Sequence, residues 1–361
     1  MRVIGQRFRL DQKFASGGMG DVYRAKNLAT GSDVAIKLLA PSAHPDDDAI
    51  ERFRTEARLS ALLAHRSIVR VFDLLEDKDG SLALVMELLV GQTLEERLAK
   101  KHALEPELAV AIAVPILSAL DHAHAAGVVH RDVKPGNVFL AVEPDGRVTP
   151  KLLDFGVAKS DASTVRTMDG HILGTSRYVS PEQARGQPLD GRSDLFSMGV
   201  LLYEAMTGES PFAAPDAATA LANVLDRVVD ADERIPPRLW LVVQKALAKQ
   251  PYARHASADA MAKALAAAVG KDEDSLAALL REEPPPLPRI ETPVVAIRDA
   301  GRARASRLVW PIAIAAAVAA IATSLALLRT RPAPTAPLAT PPTTTPATPT
   351  ISVAPPTLDV P

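Results

Sequence analysis

The sequence predicts an α+β protein of two lobes, a small antiparallel sheet lobe carrying one helix and a larger, mainly helical lobe after it. Three observations predict this. Over about the first 90 residues apolar and polar positions alternate with period two, as they do in strands. Within that stretch, residues 49–64 instead show helical spacing at Ile50, Phe53, Ala57, Ser60 and Leu63. From about Glu105 onward the pattern turns mostly helical. Two lobes leave a cleft between them, and clefts between lobes are where ligands bind.

The elements follow in order. Ser16-Gly17-Gly18-Met19-Gly20 is a glycine-rich turn, followed by Asp21-Val22-Tyr23-Arg24-Ala25, which alternates like a strand. A dinucleotide fold would open a helix after such a turn. Strand-turn-strand instead lets backbone N–H groups lie over phosphates as a lid, or is an ordinary glycine hairpin. A turn at Thr30-Gly31-Ser32-Asp33 leads to Val34-Ala35-Ile36-Lys37, which sets a lysine on an apolar strand. An inward lysine needs a partner, or burial would remove its proton. Glu56, beside the apolar face of the 49–64 helix, is the candidate; the alternative is two solvated surface charges. Leu82, Leu84 and Met86 mark the third strand signal, and Met86-Glu87-Leu88-Leu89-Val90-Gly91 ends it where the lobes would join. A helix is predicted over Glu105–Ala126, with Pro106 in its first turn and Gly127 as its stop. Pro115 inside it predicts a kink, costing about 3 kcal/mol unless packing offsets it.

Bulk properties narrow the function. The chain has 361 residues, no cysteine and a net charge of −2. It therefore holds no disulfide, cysteine-ligated zinc or thiol nucleophile, and no charge excess argues for nucleic acid. Arg2, Arg7 and Arg9 without an apolar segment are not the pattern of a secretory signal. The composition divides the chain into a globular domain at 8–267 (first lobe about 8–90, second about 91–267), a charged, proline-bearing linker at 268–307, an uncharged apolar run at 308–328 and a proline- and threonine-rich tail at 329–361. At about 1.5 Å per residue the run reaches across a bilayer core of about 30 Å, and it predicts a spanning helix. Arg298, Arg302, Arg304 and Arg307 precede it while only Arg329 and Arg331 follow, which puts the N-terminal side in the cytoplasm and the tail outside.

The most informative stretch is His130-Arg131-Asp132, with Asn137 five residues on and Asp154-Phe155-Gly156 after a short apolar hairpin. That order sets a proton acceptor and two oxygen ligands for a metal around one point. Phosphoryl transfer from a nucleotide needs positioning, divalent metal and charge neutralisation, and little else.

Together these motifs resemble the eukaryotic-like (Hanks-type) serine/threonine protein kinases, most nearly the bacterial membrane-anchored receptor type, over about residues 8–267. The resemblance implies a two-lobed protein kinase fold and transfer of the γ-phosphate of ATP to protein serine and threonine hydroxyls, with magnesium, or manganese in its place. It implies that Gly17, Gly18, Gly20 and Val22 cover the nucleotide, with Ala35 also contacting it. Lys37 would touch the first two phosphates and pair with Glu56. Glu87 and Leu89 would bond adenine through their backbones beside the gatekeeper Met86. Asp132 would accept the substrate proton, Lys134 would touch the transferring phosphate, and Asn137 and Asp154 would hold the metal. It further implies that Phe155 packs under the 49–64 helix, that Glu182 pairs with Arg254, that Asp194 anchors the catalytic loop, and that Gly174-Thr175 and Ser180-Pro181-Glu182 close the activation segment.

The chain departs from the pattern where Ala15 replaces the first glycine, where Ser176 replaces a frequent proline and where Ser180 replaces an alanine. Arg131 before the base implies control by phosphorylation of the following loop, with Thr167 as first candidate and Ser163 and Thr164 behind it. Thr175 is expected to contact Asp132. His122 and His124 point apart on a helix and are read as ordinary helix residues. A nucleotide-binding pseudokinase scaffold at the membrane is the alternative, and a homodimer through the spanning helix is open.

Overall fold

The computed structural model describes residues 2–17, 20–39, 47–155 and 175–281. Gly18, the segment 156–174 with Ser163, Thr164 and Thr167, the spanning run 308–328 and the tail 329–361 lie outside the described residues, as do the side chains of Glu56 and Thr175.

The first sheet grows from hairpins. Its strands are β1 (Val3–Ile4), β2 (Phe8–Gly17), β3 (Gly20–Asn27), β4 (Asp33–Leu39), β5 (Val71–Glu76) and β6 (Leu82–Met86). All pairings are antiparallel, in the order β1-β2-β3-β4-β6-β5. Helix α1 (Asp47–Leu62) stands between β4 and β5, so β5 enters at the far edge and β6 turns back between them. The expected period-two alternation of exposure is absent from the two central strands: every residue of β6 and the five middle residues of β4 are buried. Both faces are covered. Ile36, Leu38, Ala83 and Val85 pack with Ile4 and Phe8 on one side, while Leu82 and Leu84 pack with Phe53 and Ala57 of α1 on the other. The helical face read from the sequence is the buried one: Phe53, Ala57, Ser60 and Leu63 are all inside.

Beyond the connecting segment, β7 (Gly91–Thr93), β8 (Val138–Val142) and β9 (Val148–Leu152) form a small second sheet in that order. Gly91 has φ of 143°, and a Cβ there would lie 2.0 Å from the Leu140 carbonyl oxygen, so β7 approaches β8 only with glycine at this position. Helix α2 (Leu94–Lys101) begins with a capping box of Thr93 and Glu96.

Helix α3 (Pro106–Ala125) matches the predicted span, with Pro106 in the first turn, and continues through Pro115. From Ala109 to Leu117 it is apolar on every side, and this middle part belongs in a core. By length and composition it could cross a membrane, yet it lies among α5 (Arg192–Thr207), α8 (Ala258–Val269) and α9 (Glu273–Leu279). Helices α4 (Pro181–Ala184), α6 (Ala217–Asp226) and α7 (Pro237–Ala246) complete the second lobe.

The fold does not stop at the expected start of the linker. Helix α8 runs to Val269, and α9 follows with Leu276 (1% exposed) and Leu280 (5%) in the main core. Asp272 caps α9 by accepting the Ser275 N–H. The charged residues of this stretch mask an apolar pair at helical spacing, and for that reason composition alone reads it as linker.

Candidate active site

The catalytic loop is fixed from behind. Asp194, in the first turn of α5 and buried, accepts the His130 N–H at 2.9 Å and the Arg131 N–H at 2.8 Å. Its carboxylate also accepts His124 Nε2 of α3 at 2.7 Å. His124 is therefore part of the loop's scaffold and not an ordinary helix residue. Gly191 makes room for it, since a Cβ there would sit 2.4 Å from His124 Nδ1. Period-3.6 reasoning missed this contact because its partner lies 70 residues away. Replacing His124 with Ala leaves Asp194 one donor short. It is expected to lower kcat about tenfold, equal to about 1.4 kcal/mol of misplacement, with little change in ATP affinity; steady-state kinetics at varied ATP check this.

His130 ties the loop to the strand that carries the second acid. Its Nδ1 accepts the Asp132 N–H at 3.2 Å, so the proton sits on Nε2, which donates to the Leu153 carbonyl at 2.9 Å. Leu153 N–H in turn donates to the Asn137 carbonyl at 2.9 Å. Phe155 is fully buried with its ring 4.8 Å from that of His130, in the same cluster as Leu59 of α1 and Leu63 just after it. His65, in the loop after α1, accepts the Ser67 N–H and meets Ser118 of α3 at 3.2 Å.

Two polar groupings lie beside the catalytic loop. In one, Asn137 Nδ2 donates to the Asp132 carboxylate at 3.0 Å and to its carbonyl at 2.8 Å, while Lys134 Nζ lies 2.9 Å from the same carboxylate. In the other, Lys37 of β4 pairs with Asp154 at 3.0 Å. Lys37 is 4% exposed and Asp154 about 44%, so a buried cation is balanced by a carboxylate open to the cleft. Arg131 (φ 66°) and Asp154 (φ 32°) hold backbone conformations that L-residues rarely adopt. Each costs roughly 1–3 kcal/mol, and such cost persists only where surrounding contacts over-determine the geometry.

The apolar side of the cleft comes from both lobes. Val22, Ala35, Val69, Met86, Leu89 and Leu153 belong to one cluster; Val69 and Leu153 were not singled out in the sequence. Glu87 N–H is bonded to the Arg70 carbonyl at 2.9 Å, so a bond from Glu87 to a purine falls to its carbonyl oxygen. The Glu87 side chain accepts from Arg70 N–H and from Lys151 of β9, both at 2.8 Å, which joins the segment between the lobes to the strand leading to Asp154.

After the undescribed segment, Ser180 and Gln183 form a capping box on α4, and Gln183 Nε2 donates to the Arg131 carbonyl at 2.9 Å. Glu182 and Arg254 form a bidentate pair at 2.7 and 2.8 Å, with Ser193 Oγ donating to the same carboxylate at 2.6 Å. Burial raises the Glu182 pKa, but the Arg254 guanidinium and the Ser193 hydroxyl outweigh it and hold the group below its ordinary 4.5.

The structure thus brings together Lys37 with Asp154, and Asp132 with Lys134 and Asn137, at the seam of the two lobes; Gly17 and Gly20 close the β2–β3 hairpin above. Fold and site define a domain of the protein kinase type. Residues 8–265 match the protein kinase domain family, and the chain belongs to it. It is 37% identical over 281 residues to serine/threonine-protein kinase pkn3 of Myxococcus xanthus, covering 75% of this chain and 51% of that protein. It is 40% identical over 264 residues to serine/threonine-protein kinase PknL of Mycobacterium tuberculosis, covering 72% and 65%. With PknA of the same species it shares 37% over 317 residues, covering 84% and 72%. The chain spans about half the length of several curated relatives it matches.

Proposed function

We propose that the chain is an ATP-dependent serine/threonine protein kinase with its catalytic domain at 8–267. The observation that carries this reading is the pairing of Lys37 with Asp154 beside the Asn137–Asp132–Lys134 grouping. A scaffold without activity has no need of a carboxylate held by an amide and an ammonium at the mouth of a cleft.

The donor set fits a small divalent cation. The Asp154 carboxylate and the Asn137 amide oxygen are hard oxygen ligands, and a magnesium site uses one or two protein oxygens and leaves the rest to water and phosphate. Among the described residues no cluster of three His, Cys, Asp or Glu offers a closed cage, which suits an ion shared with the substrate. When bound, the ion offsets the charge on the phosphate oxygens. In this reading Asp132 orients the substrate hydroxyl and takes its proton as the new P–O bond forms and the bond from the γ-phosphorus to the bridging oxygen breaks. A loose transition state releases that proton late, so the position of Asp132 matters more than its basicity. Lys37 holds the first phosphates and Lys134 faces the transferring one. Val22, Ala35, Met86 and the backbones of Glu87 and Leu89 take the base beside the hairpin that Gly17 and Gly20 close; the roles the resemblance implies for Gly18 and for the Glu56 side chain fall outside the described residues.

Incubating the full chain with labelled ATP, magnesium and a generic protein acceptor, beside Asp132→Asn, tests the reading; label in neither sample sinks it. Asp154→Ala is expected to lose at least about 100-fold of the metal-dependent rate, and an unchanged magnesium titration would remove Asp154 from the metal site.

The same reading places residues 308–328 across a cell membrane, with the kinase domain cytoplasmic and the tail outside. Autophosphorylation of Thr167 is part of it. Arg131 carries a buried Nε with no hydrogen-bond partner among the described residues, which suits a guanidinium kept for a phosphate. Phosphopeptide mapping decides between Thr167, Ser163 and Thr164.

A further inference from the structure

Strand β9 has an outer edge that no strand of its sheet covers. Two segments from elsewhere occupy that edge. At its C-terminal end Leu152 bridges Ile68 in parallel, with Val69 N–H donating to the Leu152 carbonyl at 3.0 Å and Leu152 N–H to the Ser67 carbonyl at 2.8 Å. Those residues follow α1. At its N-terminal end Val148 N–H donates to the Leu280 carbonyl at 2.8 Å, and Arg147 pairs antiparallel with Arg281. Those residues follow α9, beyond the family match, which ends at 265.

We propose that the segment 272–281 is a positioning element of the nucleotide cleft, a clip that holds β9 in place from outside the family domain. The anchorage is deeper than a trailing chain requires. Leu276 and Leu280 sit in the main core, α9 packs on α3, and Lys271 meets Glu107 of α3 at 3.4 Å. What β9 carries explains the consequence. Lys151 reaches Glu87 at the junction between the lobes, Leu153 bonds His130 and Asn137 and faces the apolar cleft, and Asp154 pairs with Lys37. An edge strand held at both ends presents these groups in one register. Released at Val148, it frays from that end, and the Lys151–Glu87 contact loosens before the catalytic loop does, because Asp194 holds the loop independently. Leu276 and Leu280 thereby act on ATP through β9 without touching it.

The nucleotide arm of the test rests on the kinase reading; the exchange arm does not. In the full chain, Leu276→Ala is compared with wild type by hydrogen exchange and by kinetics. Should that variant fail to fold, Asp272→Ala, which only uncaps α9, carries the same test. Exchange is expected to quicken about tenfold in residues 148–153 and in 87–91 while α6 and α7 keep their protection. KM for ATP is expected to rise about fivefold with kcat at saturating ATP within about twofold, and Leu276→Met should restore both. Faster exchange confined to 272–281, or spread evenly over the domain, overturns the proposal, as does an unchanged KM for ATP in an active enzyme. If wild type transfers no phosphate, the kinase reading fails, and the exchange pattern alone still judges the clip.

Discussion

Asp132→Asn is expected to lower phosphate transfer about 10³-fold, equal to about 4 kcal/mol of barrier, while ATP affinity changes less than about threefold. The geometry separates the two effects. Asp132 lies in the catalytic loop, with Lys134 and Asn137 on its carboxylate, while the apolar cleft and the Lys37–Asp154 pair are built from other residues. An asparagine keeps the volume and still offers an oxygen to Asn137 Nδ2. It loses the negative charge that opposes Lys134 and that, in the proposed reading, takes the hydroxyl proton. The loop does not collapse, because His130 and Arg131 hang from Asp194 by main-chain bonds. Initial rates with labelled ATP, beside binding of a fluorescent nucleotide analogue, read the two quantities apart. Turnover within about tenfold of wild type would show that the hydroxyl needs no acceptor at this position.

The parts of this site that were legible in the sequence are those whose chemistry is local. His130-Arg131-Asp132 and Asn137 stand close in the chain, and the contact between Asn137 and Asp132 spans five residues; Asp154 was picked out by the resemblance, and it is its neighbour Leu153 that bonds the Asn137 carbonyl. The buried face of α1 was legible for the same reason, since Phe53, Ala57 and Ser60 share one helical stripe and Leu63 continues it just past the helix end. Strand positions were readable, but the exposure pattern of β4 and β6 was not, because alternation assumes a wet face and both faces of these central strands are covered. The supports of the site were least legible. His124 gains its role from Asp194, and Lys151 from Glu87, across 70 and 64 residues. Nothing in the local pattern around either residue announces such a partner. The segment 272–281 was misjudged because its charged composition outweighed two leucines that only tertiary packing reveals.

Arg254→Met is expected to cost about 3–5 kcal/mol, and for a domain of this size to lower Tm by roughly 6–20 °C. Arg254 has a fully buried side chain, and each guanidinium N–H is engaged. Nε donates to the Ala248 carbonyl, Nη1 to Glu182 and the Arg192 carbonyl, and Nη2 to Glu182 and the Lys249 carbonyl. The guanidinium also lies 5.0 Å from the Phe196 ring centroid. Methionine fills much of the volume but strands the Glu182 carboxylate with Ser193 as its remaining side-chain donor. Glu182→Gln is milder, since the amide oxygen still accepts from Arg254, and it changes the acid limb of the stability curve. The folded pKa of Glu182 lies below its ordinary 4.5, so the group stabilises the fold above that pH and the contribution fades as pH falls through the lower folded value. The glutamine variant should therefore lose stability against wild type near neutrality, and the gap should narrow as pH falls below the ordinary 4.5 and through the lower folded value. Removing both partners does not restore wild-type stability here, because three backbone carbonyls lose their donor along with the carboxylate. Thermal unfolding of both single variants and the double variant, from pH 3 to pH 8, measures the coupling; additive losses would mean that the pair acts as two independent hydrogen-bonded groups.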